Sequence, residues 1–191
     1  WVFAKKGDKS PFTYKARYVG KGFMQVLGRD YQSTWSPTVR LASLHALIAT
    51  AAQQGRLVFQ FDVKDAYLTA DLLVELYVQA PVQFFGTGKV WRLHKALPGL
   101  KQSGQAWYRK LSTVLAKLGY KQCKMDPCVF IKESAGRKPL MMGVHVDDGV
   151  LVCDTIEQKE RLFRTMNKFF GVKDIGFPKS LLGCQYEKRP N

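Results

Sequence analysis

The 191 residues are 46% hydrophobic and 13% aromatic, enough to bury the core of one large domain or two small ones and too apolar for a disordered chain. Thirty Lys and Arg against 15 Asp and Glu give a formal net charge of +15, which suits a polyanionic partner such as nucleic acid; a generally basic, solvated surface is the plainer alternative. No apolar run reaches the roughly 18 residues of a membrane span and no signal-peptide pattern opens the chain, so a soluble intracellular protein with no membrane partner is expected. The start at Trp1 without Met and the open end at Asn191 suggest a piece of something longer. Cys123, Cys128, Cys153 and Cys184 form no CxxC pair and read as reduced thiols, three of them in apolar surroundings.

In chain order, Val2 to Lys6, a Gly7-Asp8 turn and Thr13 to Val19 predict a basic β-hairpin. Its lysines suit phosphate contact or the protection of an exposed edge. Gly20-Lys21-Gly22 lacks the strand-to-helix setting of a dinucleotide fingerprint. Ser36-Pro37-Thr38 offers a cap for a helix over Val39 to Gln54, where Leu41, Leu44, Ala46, Leu47, Ile48 and Ala51 recur at helical spacing and Gly55 is the stop. His45 has no His or Cys three or four positions away and reads as a partly buried structural residue. Arg40 faces nucleic acid or is merely a surface charge at the helix start.

Leu57 to Leu68 predicts an apolar strand carrying Asp62, followed by a turn at Asp65-Ala66-Tyr67. A carboxylate among apolar strand residues needs a hydrogen bond, a cation or a metal. Gly86-Thr87-Gly88-Lys89 fails as a phosphate loop, because Gln83 stands where the earlier Gly is needed and Val90 follows the Lys; it reads as a loop before a strand at Val90 to Leu93. Leu97 to Ser103 breaks the chain before a helix from Gln105 to Leu118 closed by Gly119. Met125 to Ile131 is a turn into a strand, and Lys132 to Pro139 reads as a polar connection. Met141 to Cys153 then gives two apolar runs around Asp147-Asp148, a hairpin with acids at its tip, for which Asp-Gly is the turn signal. Asp154 and Glu157 open a helix from Thr155 to Phe170 ended by Gly171, and a strand over Leu181 to Tyr186 is expected to complete the sheet. Three carboxylates converge if the Asp62 strand lies beside the hairpin, and all-oxygen ligands of this kind suit Mg²⁺.

Both acidic segments resemble the metal-binding motifs of reverse transcriptases of the Ty1/copia retrotransposon type. Lys15-Ala16-Arg17-Tyr18-Val19, Lys21-Gly22-Phe23, Trp35-Ser36-Pro37-Thr38-Val39-Arg40-Leu41, Leu76-Tyr77-Val78 with Pro81, Gly99-Leu100-Lys101-Gln102, Trp107-Tyr108, Asp126-Pro127-Cys128-Val129 and Lys173-Asp174-Ile175-Gly176 resemble that family in the same order. The resemblance implies an α+β polymerase core of fingers and palm, the palm a ferredoxin-like antiparallel sheet packed on helices, with fingers at 1–56, palm at 57–85, a connection at 86–104 and further palm at 105–191. It implies RNA-directed DNA synthesis with two Mg²⁺, or Mn²⁺ as a substitute, held by Asp62, Asp147, Asp148 and the Val63 carbonyl. Lys15, Arg17, Asp65, Ala66, Tyr67, Gly99 and Gln102 are then nucleotide-binding, with Tyr67 under the sugar to exclude a 2′-OH, while His145, Lys101 and Arg40 contact nucleic acid. Implied partners are an RNA/DNA template-primer duplex, dNTPs, and the thumb, ribonuclease H and integrase of one polyprotein, in the cytoplasm within retrotransposon particles or in the nucleus.

The chain departs from the family's pattern at position 145, His where the family usually has Tyr, at Thr69-Ala70, where an Asn-Gly turn is common, and in the segment preceding the core helix and the tail around Cys184. The competing readings are a catalytically silent, transposon-derived nucleic-acid-binding domain and a template-independent nucleotidyl transferase on the same palm. A Ser/His/Asp hydrolase is excluded, since no Gly-x-Ser-x-Gly elbow is present.

Overall fold

The structure is a computed structural model that describes residues 1–6, 12–134 and 136–188. In chain order its elements are β1 (Val2–Lys6), β2 (Thr13–Arg17), a short 3₁₀ turn (Gly22–Met24), α1 (Leu41–Gln53), β3 (Leu57–Val63), α2 (Ala66–Thr69), β4 (Asp71–Gln79), α3 (Val82–Phe85) and β5 (Val90–Lys95). These are followed by α4 (Ser103–Lys117), β6 (Lys121–Gln122), β7 (Val129–Ser134), β8 (Arg137–His145), β9 (Asp148–Cys153), α5 (Ile156–Met166), β10 (Val172–Gly176), β11 (Ser180–Leu181) and β12 (Cys184–Gln185). The protein is α+β and divides into two compact units, one of residues 1–35 and 67–107, the other of 36–66 and 108–191. α1 buries its apolar face on the sheet of the second unit.

The first unit holds two antiparallel hairpins, β1–β2 and β4–β5. The expected Gly7-Asp8 turn lies outside the described residues. Aromatic rings make contacts here: Trp1 meets Tyr18 edge-on with centroids 5.5 Å apart, and Phe85 meets Trp91 at 5.1 Å.

The second unit is built on a six-stranded antiparallel sheet of order β10-β3-β9-β8-β7-β6. Its centre is apolar on both faces, with Phe61, Met142, Val150, Leu151, Val152 and Cys153 fully buried. Alternation along β9 sorts that core. Val150 and Val152 pack with Leu44, Leu47 and Ala51 of α1 on one face. Phe61, on the other face, meets Phe163 of α5 edge-on at 5.6 Å.

Several local expectations change for reasons of tertiary structure. The first residue before α1 is Arg40 rather than the Ser36-Pro37-Thr38 cap, and its side chain caps nothing. The Val39 N–H donates to the Val144 carbonyl and the Arg40 N–H to Asp126 Oδ2, so groups distant in sequence fix the helix start. The start of α5 is Thr155, in a reciprocal capping box with Gln158, not Asp154 and Glu157. Lys132 to Pro139 is mostly strand, since β7 and β8 pair almost to their turn. Leu181 to Tyr186 does not complete the sheet: positive φ at Leu182 and Gly183 reverses the chain into the two-residue arms β11 and β12, while β10 takes the edge beside β3. His45 is exposed and meets Tyr186 edge-on at 6.1 Å. Cys128 and Cys153 are buried free thiols; burial pushes them up to about 12 and about 11.

Candidate active site

Strands β3 and β9 pair so that Asp62 stands directly opposite Asp148, and His145 of β8 stands opposite Asp148 on the other side. Opposed residues of an antiparallel pair have Cα atoms about 4.5–5.5 Å apart and side chains on one face. Lys173 of β10 faces Asp62 in turn, so Lys173, Asp62, Asp148 and His145 form one row across four strands. Asp147 lies in the two-residue connection between β8 and β9, and its carbonyl accepts from the Val63 N–H at 2.8 Å. Asp62 and Asp148 are half-buried and Asp147 is exposed.

The turn differs from the Asp-Gly turn expected. Its central residues are Val146 and Asp147, and Val146 carries the left-handed backbone at φ 57°, rare for a β-branched side chain. Gly149 is within β9, where a Cβ would lie 2.2 Å from Phe61 Cζ, so Gly is required there by the aromatic ring packed across the strand.

Burial, and then the negative charge of Asp147, push the Asp148 carboxyl above its usual range; a hydrogen bond from Gln60 opposes this, Asp62 adds to it and His145 opposes it. Gln60 sits two positions before Asp62 on the same face and is 9% exposed. The His145 Nδ1 is buried and has no hydrogen-bond partner among the described residues.

Both the family model described as reverse transcriptase (RNA-dependent DNA polymerase) and curated relatives match the chain, the family model over residues 1–191. The chain is 36% identical over 190 residues to the retrovirus-related Pol polyprotein from transposon TNT 1-94 of Nicotiana tabacum, covering 97% of this chain and 14% of that protein. It is 34% identical over 196 residues to the Pol polyprotein from transposon RE2 of Arabidopsis thaliana, covering 100% of this chain and 13% of the relative. To the transposon Ty1-LR2 Gag-Pol polyprotein of Saccharomyces cerevisiae it is 32% identical over 192 residues, covering 98% and 10%. This chain belongs to the reverse transcriptase family. It is of the Ty1/copia type and spans about one seventh or less of these relatives.

The second unit of this reverse transcriptase domain gathers Asp62, Val63, His145, Asp147 and Asp148 at one end of its sheet. Ala66 is buried, and Asp65 is exposed at φ 50° in the turn after β3. Arg40 is exposed at the start of α1, at the other end of the Arg40–Asp126 bond.

The remaining expected residues belong to the first unit. Lys15 and Arg17 are exposed on β2, where Lys15 pairs with Ala4 and Arg17 with Val2. Lys5 lies with its amine 3.4 Å from the Phe12 ring centroid. Tyr67 is half-buried in α2. Gly99, at φ 92°, makes its close approach to the chain's own backbone: a Cβ there would lie 2.4 Å from the Gly20 carbonyl oxygen, and its own carbonyl accepts from the Gly22 N–H at 3.1 Å. That pairing is the use of Gly20-Lys21-Gly22. Gln102 is 6% exposed, donates to the Asp30 carbonyl at 3.0 Å and accepts from Gln25 at 3.1 Å, so its amide ties its loop to the segment Gln25 to Asp30. Lys101 is exposed, with its backbone N–H on Gln25 Oε1 at 2.7 Å.

Among the described residues no three His, Cys, Asp or Glu side chains come together closely enough to hold a metal ion by themselves. The donor chemistry nevertheless fits Mg²⁺, an oxygen-seeking ion that keeps several waters and completes its shell from substrate phosphates. Two carboxylates directly opposed on one face, with a third in the adjoining turn, are mutually repulsive and call for a cation. Sequence reading missed Gln60 and Lys173. The signal for Gln60 was available as a polar residue at the i−2 position of an acidic strand; that for Lys173 was not, because strand order alone brings β10 beside β3.

Proposed function

We propose that this domain extends a primer 3′-OH on an RNA or DNA template, releasing pyrophosphate from each dNTP. The observation that carries this is the register that sets Asp62 against Asp148 beside the Asp147 turn, in a chain of this family. Asp62, Asp147, Asp148 and the Val63 carbonyl are the groups that hold two Mg²⁺, for which Mn²⁺ substitutes. The bound ions supply Lewis-acid stabilisation of charge on the attacking and leaving oxygens. Gln60 orients Asp148 through its hydrogen bond, and the turn at Val146 fixes where Asp147 stands relative to β9. Lys15 and Arg17 offset charge on the β and γ phosphates. Tyr67 packs under the incoming sugar and rejects a 2′-OH, with Asp65 and Ala66 shaping the turn around it. His145 contacts the primer end, while Gly99, Lys101, Gln102 and Arg40 lie along template and nucleotide.

In fold terms the second unit is the palm. Its strands β10-β3-β9-β8 run in the order 4-1-3-2 of a ferredoxin-like sheet, and the first unit supplies fingers. Thumb, ribonuclease H and integrase come from the same polyprotein, and the setting is the cytoplasm within retrotransposon particles or the nucleus. The relation to Pol and Gag-Pol polyproteins supports this setting. All three acids at one sheet end speak against a silent binding domain.

The test is primer extension on an RNA template with dNTPs and Mg²⁺, comparing wild type with Asp147→Asn. Extension by the wild type that falls at least a hundredfold in the variant is expected. Equal extension by both would remove the carboxylates from the chemistry.

A further inference from the structure

The second unit contains a cavity of about 460 Å³ that the polymerase reading does not use. Its apolar part is Leu118, Leu140 and Leu162, and Lys132, Arg137 and Arg161 stand around it. Alternation places it on the opposite face of the sheet from the acids. Leu140 shares the face of Met142, which pairs with Leu151, whereas Asp148 and Val150 point the other way. Leu140 also precedes His145 by five positions in β8, roughly 16 Å of strand.

Three features give the cavity a chemical preference. Among the described residues no Asp or Glu lines it, and the ion pairs engage other side chains. Lys132 instead holds its amine 5.8 Å from the centroid of the Tyr120 ring, which also lines the cavity. Of the neutral polar groups, the Thr165 hydroxyl donates to the Arg161 carbonyl and the Gln158 side-chain oxygen accepts from the Asp154 and Thr155 N–H groups, whereas the buried Tyr120 hydroxyl has no hydrogen-bond partner among the described residues. Three positive charges thus surround an apolar floor, none of them in an ion pair among the described residues.

We propose that this cavity binds a nucleoside monophosphate, with the phosphate against Lys132, Arg137 and Arg161 and the nucleoside on the three leucines. A phosphate monoester carries about −1.5 to −2 charges at pH 7 and three terminal acceptor oxygens, a better match to three cations than the single charge of a backbone diester. Two guanidinium forks can each meet two of those oxygens. The volume is within the roughly 300–1,000 Å³ of small-molecule sites. A free nucleotide and the 5′-phosphorylated end of a strand present this same chemistry.

The site shares no residue with the carboxylate end, so its test stands apart from primer extension. The isotope-labelled chain is titrated in EDTA buffer with adenosine monophosphate and, separately, with adenosine, following the methyl signals of Leu118, Leu140 and Leu162. Saturable shifts at those methyls, at least tenfold weaker binding of adenosine, and at least tenfold weaker binding of the monophosphate by Arg161→Gln are expected. Arg137→Gln, at an exposed position, carries the same expectation should Arg161→Gln not fold. Competition by a 5′-phosphorylated oligonucleotide but not its 5′-hydroxyl form assigns the site to strand ends; no competition by either assigns it to free nucleotide. Absence of saturation, equal binding of adenosine, unchanged binding by the folded variants, or shifts confined to the Asp147-Asp148 turn would overturn the proposal.

Discussion

Val146 and Asp148 show what the hairpin tip costs. A left-handed β-branched residue is strained by about 1–2 kcal/mol, and Gly there gives back about 0.5–1 kcal/mol of chain entropy. Val146→Gly is therefore expected to leave stability in urea unchanged or raised by up to about 1 kcal/mol, while primer extension falls because the turn no longer fixes Asp147; a clear loss of stability would show the turn to be relaxed. Asp148 is disfavoured as an anion by burial and by Asp147 and Asp62. In metal-free buffer at neutral pH, Asp148→Asn should raise the thermal midpoint by roughly 2–4 °C, the equivalent of about 1 kcal/mol for a chain of this size. An unchanged or lower midpoint would mean that the acids do not repel.

The start of α1 shows how one buried side chain sets an element. Asp126 is 2% exposed, and its two oxygens accept from the Arg40 N–H at 2.9 Å and the Cys128 N–H at 3.0 Å. Burial alone would raise its carboxyl; bonds from Ser43, Arg40 and Cys128 outweigh that and hold it below the usual range. Its contribution is thus full above its unfolded value near 4 and is lost as pH falls through its lowered folded value. Asp126→Asn should cost about 2–3 kcal/mol in urea at pH 7, with the gap to wild type closing as pH falls below about 4. A gap that widens in acid would contradict this assignment. The periodicity of α1, the run of β3 and the β8–β9 hairpin were legible locally, because each alternates or repeats with its own period. The cap of α1 was not, since its partners come from Asp126 and Val144.

For the whole molecule, the net charge of +15 is the property that acts at range. If the basic residues follow a duplex backbone through about 6–10 phosphate contacts, affinity for a template-primer should fall by about 10³–10⁵ between 50 and 200 mM salt. A nearly flat response in a filter-binding or anisotropy titration would make the charge a matter of solubility instead. The cavity beneath Lys132, Arg137 and Arg161 shows that such charge can also be local, gathered from two strands and a helix.

Sequence by itself determined the family, the elements around Asp62 and Asp147-Asp148, and the basic balance, because acids inside apolar runs and ordered motifs are local facts. Tertiary structure alone decided that Leu57–Val63 pairs with Asp148–Cys153 so that two acids oppose. It also placed Lys173 and Gln60 in that neighbourhood, tied Gln102 and Gly99 to the distant segment Gly20 to Asp30, and made Gly149 obligatory under Phe61. Pairing register and close packing join residues tens of positions apart, and no window of sequence contains both partners.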